Sequence, residues 1–195
     1  MVVDFGRPRD PRIDAAVLSA TVELLAETGY ASLLVSAIAE RAGTSKPAIY
    51  RRWPSKAHLV HEAVFPLGAA TELPNTGSLP EDLHEMVCRS MAFLTTPAAR
   101  AALPGLVGEM AADPTLHSAL LERFAGVIGG GLAELLGRAG ARGEISPDFN
   151  AAELAAQLTE AIAGITLMGL LTRPGELDDS WVDRTTTLLL KGISA

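Results

Sequence analysis

The sequence predicts an all-α protein of about nine helices, with a three-helix N-terminal head joined to a larger helical body. Three observations carry that expectation. No segment alternates apolar and polar residues with period two, apolar residues recur at three- and four-residue spacing along most of the chain, and cap residues followed by proline or by a glutamate three positions on recur from Asp10 to Asn150.

The elements follow in order. Asp10 is a cap residue and Pro11 stands at the first helical position, so a helix is expected from Pro11 to about Thr28, closed by Gly29. Ile13, Val17, Ala20 and Leu24 form its core stripe, and Tyr30 is expected to pack back onto that stripe. Residues 1–9 precede it with Arg7 and Arg9, either as a solvated tail or as an arm that follows phosphates or enters the minor groove. Val35, Ile38, Ala39 and Ala42 give a second helix one apolar face, and Gly43 stops it. Thr44 or Ser45 caps a third, which has Pro47 in its first turn. Ile49 and Trp53 anchor this helix, Lys46, Tyr50, Arg51 and Arg52 point elsewhere, and Pro54 ends it. Two short helices across a tight turn, the second basic and polar above an apolar anchor, make a helix-turn-helix whose second helix can lie in a DNA major groove.

Ser55 caps a fourth helix through Leu59, Val60, Ala63 and Val64, which Pro66 and Gly68 weaken. The run ELPNTG, 72–77, reads as a loop, and the chain divides into a head of residues 1–60 and a body of residues 61–195. In the body, Ser78 with Glu81 and Asn150 with Glu153 have capping-box spacing. Thr96-Pro97 opens a helix expected to kink at Pro104 and Gly105. Asp113-Pro114 opens one running through Leu120, Phe124, Ile128 and Leu135 to about Ala139, softened by Gly129 to Gly131. Asp178 or Asp179 caps the last helix. The final two helices are unusually apolar, with Leu154, Leu158, Ile162, Ile165, Leu170 and Leu171 spread around one of them and Gly164 and Gly169 permitting close approach. A homodimer through these two helices is expected.

Composition adds boundaries. The 195 residues are 48% apolar and 20% charged, a globular balance. The net charge of −7 at first opposes nucleic-acid binding, yet the acid is unevenly placed. Residues 1–58 hold eight basic against six acidic side chains, and the remainder holds eight against seventeen. The single cysteine, Cys88, excludes an internal disulfide and a multi-cysteine zinc site and fits a reducing cytoplasm. MVVDFGRPRD lacks the apolar segment of a signal peptide, and the apolar run 161–171 falls short of the roughly 20 residues a membrane span requires. A cytoplasmic protein without membrane association is expected.

The stretch Gly29 to Val60, GYASLLVSAIAERAGTSKPAIYRRWPSKAHLV, resembles the DNA-binding signature of TetR/AcrR-type transcriptional regulators. Gly29-Tyr30, Val35, Ile38-Ala39, Ala42-Gly43, Ser45-Lys46, Ile49-Tyr50, Trp53, Ser55-Lys56 and Leu59 carry the resemblance. It implies that Thr44, Ser45, Lys46, Pro47 and Ala48 open the recognition helix and face the bases, that Tyr50 and Lys56 bind phosphates, and that Arg51 or Arg52 reaches phosphate or a base edge. Leu34 stands where the family often has a phosphate-contacting threonine, so Ser32 or Ser36 is expected to take over the cap or the contact. The resemblance further implies a homodimeric repressor on a near-palindromic double-stranded operator, released by a small-molecule effector. A body rich in Ala, Gly, Leu and Met suits an apolar or amphipathic effector, with Met91, Phe93, Met110, Phe124 and Met168 as candidate lining residues.

Other chemistry is poorly represented. Glu81 with His84 has the spacing of helical di-iron sites, but the second such motif is missing. His58, His61 and Glu62 share a helix without an identifiable further ligand, and neither a phosphate loop nor a nucleophile elbow occurs. No enzyme activity, cofactor or metal is expected. The competing reading is a helical small-molecule-binding or metal-dependent protein whose helix-turn-helix no longer engages DNA.

Overall fold

The computed structural model describes residues 11–66, 73–124, 130–146, 148–173 and 175–193, without the side chains of residues 120, 121, 123 and 124. The arm with Arg7 and Arg9 and the cap at Asp10 lie outside the described residues. Ten helices and no strand occur among them: α1 Pro11–Ser32, α2 Val35–Arg41, α3 Lys46–Tyr50, α4 Lys56–Val64, α5 Leu79–Leu94, α6 Pro97–Met110, α7 Pro114–Phe124, α8 Gly130–Ala141, α9 Ala151–Thr172 and α10 Asp179–Ile193. The count exceeds nine because the stretch expected as one helix from Asp113 to Ala139 is described as α7 and α8, with residues 125–129 outside the described set.

Local signals set most boundaries. Gly29 breaks α1 with φ 74° and ψ 168°, after which one more turn runs to Ser32. Gly43, at φ 63°, ends α2, and the Thr44 amide donates to the Ala39 carbonyl at 2.9 Å. Side-chain caps form at Ser45, Ser55, Thr96, Asp113, Asn150 and Asp178. α6 continues through Pro104, whose ring faces solvent.

Two expected side-chain caps are absent. Leu34 begins α2 without a side-chain cap, so neither Ser32 nor Ser36 serves there. At α5, Ser78 caps nothing with its side chain, and the Leu79 amide instead donates to Glu144 Oε2 at 2.8 Å. A carboxylate from the loop after α8 is a stronger acceptor than a local hydroxyl. Asp82, fully buried, accepts from the Thr76 amide at 2.8 Å and from its hydroxyl at 2.9 Å, closing the loop ahead of α5.

The apolar residues form two cores. The first joins α1 to α4 with α6, through Leu25, Ile38, Ile49, Leu59, Ala102 and Leu106, and takes in Leu116 and Leu170. The second lies among α5, α8, α9 and α10, around Leu83, Leu135, Ile162 and Val182. The first core therefore crosses the boundary expected at residue 60. α9 is long and apolar enough to cross a membrane, although 44% of its most apolar window is buried inside the fold. It packs on α8 and α5 as a core helix.

Gly29→Ala is expected to cost about 1–3 kcal/mol in urea denaturation, because its backbone occupies a region that is essentially glycine-only.

Candidate DNA-binding head

α3 is one and a half turns long, and its support is almost wholly apolar. Ile49 and Trp53 are buried against the first core, and Trp53 Nε1 donates to Glu62 Oε2 of α4 at 3.0 Å. Ser45 Oγ accepts from the Ala48 amide at 3.3 Å and fixes the entry to the helix. With that side anchored, Ser45, Lys46, Pro47, Tyr50 and Arg51 are exposed, Thr44 and Ala48 are half-buried beside them, and Ser36 is exposed at the start of α2. Lys46 Nζ lies 5.7 Å from the Tyr50 ring centroid. Arg51 has neither an ion-pair nor a hydrogen-bond partner among the described residues.

Two expected DNA contacts are otherwise engaged. The Arg52 guanidinium pairs with Asp14 of α1 and donates from Nη1 to the Ala48 carbonyl at 3.2 Å, leaving its side chain only 11% exposed. Arg52 therefore joins α3 to α1 and does not belong to the exposed basic face. Lys56 donates to the Tyr30 carbonyl at 2.9 Å and sits 4.2 Å from the Tyr30 ring centroid. Arg41 is also committed, forming a forked pair with Glu27 at 2.7 and 3.1 Å. That pair holds Glu27 below the usual carboxylate range, the hydrogen bond from Arg41 being the main cause.

Tyr30 packs on the core that α1 shares with α6. Its ring lies against Gly105 of α6, and its hydroxyl donates to Glu109 Oε1 at 2.6 Å. Burial first, then the Glu109 carboxylate, raises the Tyr30 pKa and keeps the hydroxyl protonated. Beyond α6, His58 of α4 lies 3.0 Å from Ser55 Oγ and 3.3 Å from Thr115 Oγ1 of α7. The head thus touches α6 and the first turn of α7 through polar contacts as well as through the shared core.

The motif and the fold meet in the comparisons with known proteins. Residues 17–63 match the family described as bacterial regulatory proteins, tetR family, and residues 73–189 match the tetracyclin repressor-like C-terminal domain. The chain belongs to the TetR family of bacterial transcriptional regulators. It is 31% identical over 193 residues to the uncharacterized HTH-type regulator YdeS of Bacillus subtilis, covering 97% of this chain and 94% of that protein. It is 32% identical over 177 residues to the DNA-binding transcriptional repressor TetR of Mycobacteroides abscessus, covering 87% of each. Among solved structures, a TetR-family regulator from Mesorhizobium loti superposes with a TM-score of 0.72 at 19% identity, over 97% of this chain and 100% of that one. This TetR-family chain is accordingly a DNA-binding transcriptional regulator.

The candidate effector residues do not converge. Met91 packs on the second core, whereas Phe93 and Met110 pack on the first. Met168 is 59% exposed on α9 and cannot line an interior pocket in this state, because its helix turns that position outward. The Phe124 side chain lies outside the described residues. Sequence reading missed three aromatic or polar groups near Phe93. The Phe65 ring stacks on Phe93 at 5.2 Å between centroids, His61 packs on Phe65 at 5.8 Å, and Ser90, one turn before Phe93, is buried. Ser90 Oγ has no hydrogen-bond partner among the described residues. A separate open groove of about 640 Å³ between α5 and α10 is lined by Glu81, His84, Glu85, Arg89, Asp183 and neighbours, and by none of Met91, Phe93, Met110 and Met168.

The residues weighed for metal chemistry diverge. His58 faces Thr115, His61 faces Phe65, and Glu62 faces Trp53. His84 Nε2 meets Asp183 at 3.1 Å while its Nδ1 is 3.7 Å from Cys88 Sγ. Burial, then Glu85, Asp179 and Asp183, raise the Cys88 pKa, which disfavours a reactive thiolate.

Arg52→Ala is expected to lower stability by about 1–3 kcal/mol in chemical denaturation, because it leaves Asp14 half-buried without its cation.

Proposed function

We propose that this TetR-family regulator is a cytoplasmic homodimeric repressor whose two heads occupy successive major grooves of a near-palindromic operator. The observation that supports it best is the exposed N-terminal half of α3, a basic and polar surface held by the buried Ile49 and Trp53. Thr44, Ser45, Lys46, Pro47 and Ala48 then face base edges, Tyr50, Arg51 and Ser36 meet the backbone, and Lys56 approaches phosphate from the first turn of α4. The division at about residue 60 separates this work from effector binding and dimerisation in the body.

Dimerisation through α9 and α10 accounts for large apolar side chains left outside the fold. Met168, Leu171 and Leu188 are 59%, 46% and 64% exposed on those two helices. Paired heads can read half-sites roughly 34 Å apart, which a single five-residue recognition helix cannot do.

The effector in this reading is a small amphipathic molecule received near Phe65, Ser90 and Phe93, with Met91 and Met110 at the margins. The unpartnered Ser90 hydroxyl supports a ligand with one polar group, since a buried hydroxyl without a partner costs about 1–3 kcal/mol. A ligand that binds more tightly to the state with misplaced heads releases DNA in proportion to that difference.

The assignment of roles is tested with the duplex recovered by selection from a random library on the unchanged protein. Arg51→Ala is expected to weaken binding to every duplex alike and to reduce the salt slope by about one, whereas Lys46→Ala alters sequence preference. Equal effects of both substitutions on both quantities contradict the assignment. Sedimentation is expected to show a dimer that Leu188→Glu converts to monomer, and a monomeric unchanged protein contradicts the α9–α10 interface.

A further inference from the structure

Gly105 is an unlikely residue for the middle of a helix. It follows Pro104 in α6, so two poor helix formers stand together in an element that nevertheless continues to Met110. The neighbour explains the choice. A Cβ at position 105 meets Tyr30 Cδ1 at 2.1 Å, with Cγ and Cε1 at 2.6 Å, so only glycine leaves room for the ring. One turn further along α6, Glu109 accepts the Tyr30 hydroxyl at 2.6 Å. The notch and the acceptor lie i and i+4 on one helix face, which is the spacing needed to hold a ring at its side and at its tip.

Tyr30 is held from the head as well. Lys56 donates to its carbonyl at 2.9 Å and lies over its ring at 4.2 Å. An ammonium has three donors, so this bond places Lys56 and leaves two N–H groups for another acceptor. Tyr30 follows the left-handed residue that breaks α1, and the Leu33 amide donates to the same Tyr30 carbonyl at 3.4 Å. The residue therefore joins three pieces: the end of α1, the first turn of α4, and the middle of α6.

We propose that Tyr30 is a positioning residue for DNA binding: seated in the Gly105 notch and fastened to Glu109, it makes α6 set the angle at which the head is held. This inference rests on the reading of the protein as a dimer on two half-sites and specifies which contact transmits a movement of α6 to the DNA. Losing the contact leaves each α3 intact, because Ile49, Trp53 and the Ser45 cap do not involve Tyr30. What changes is the alignment of one head with the other.

The test compares two duplexes, the paired site selected from a random library and a single half-site cut from it, each titrated against the intact chain and its Tyr30→Phe, Glu109→Gln and Gly105→Ala variants. Tyr30→Phe deletes only the hydroxyl, Glu109→Gln keeps the shape of the acceptor, and Gly105→Ala evicts the ring without altering it. The expected result is a loss of at least about tenfold on the paired site for all three, with less than about a twofold change on the half-site. Unchanged paired-site affinity, or equal losses on both duplexes, overturns the inference, the second because it marks a general loss of folded head. Thermal melts of Tyr30→Phe, the mildest change, separate that case. If the unchanged protein itself fails to prefer the paired site, the dimeric reading falls and this inference falls with it; if it prefers the paired site and the variants do too, the inference alone is wrong.

Discussion

The packing of α1 and α4 on α6 is the constraint from which the rest of the molecule follows. A head of some fifty residues buries too small a fraction of its surface to be robust alone. Here it does not stand alone, because Leu25, Ile38, Ile49 and Leu59 share one core with Ala99, Ala102 and Leu106 of α6. The same burial that stabilises the head fixes its direction. A recognition helix of five residues contributes little stability of its own, and its usefulness comes from the rigidity of what carries it.

Charge is organised around that junction. Two basic side chains of the head are neutralised locally, Arg41 by Glu27 and Arg52 by Asp14, which among the described residues leaves Lys46 and Arg51 as the exposed positive charge of α3 and its end. The body carries the acid, and much of that acid is structural. Asp82 closes the loop before α5, Glu144 caps α5, Asp113 caps α7 and Glu109 receives Tyr30. An overall charge of −7 thus coexists with exposed Lys46 and Arg51 on α3 and its end, because much of the acid is engaged in contacts that hold the fold.

Most of the architecture was legible because its determinants are local. Gly29 and Gly43 take positive φ, Ser45, Ser55, Thr96, Asp113 and Asn150 cap the helices that follow them, and the spacing of Ile49 and Trp53 marks the anchored side of α3. What was not legible has a different cause. Tyr30 chose a partner 79 residues away, the α5 cap is supplied from 65 residues away, and Arg52 found Asp14 on another helix. Periodicity and cap rules describe neighbours along the chain, whereas these contacts exist only after the helices have packed. The effector residues were the least readable for the same reason. Met91 and Phe93, two positions apart on α5, belong to different cores, and composition alone cannot assign them.

The central claim is that the face of α3, presented by a head docked on α6, binds duplex DNA through its phosphates. Fluorescence anisotropy of the intact protein with its selected duplex, repeated across salt concentrations, tests this most directly. The account predicts that the logarithm of affinity falls linearly with the logarithm of salt, with a slope of several counterions released. An affinity that does not change with salt contradicts it.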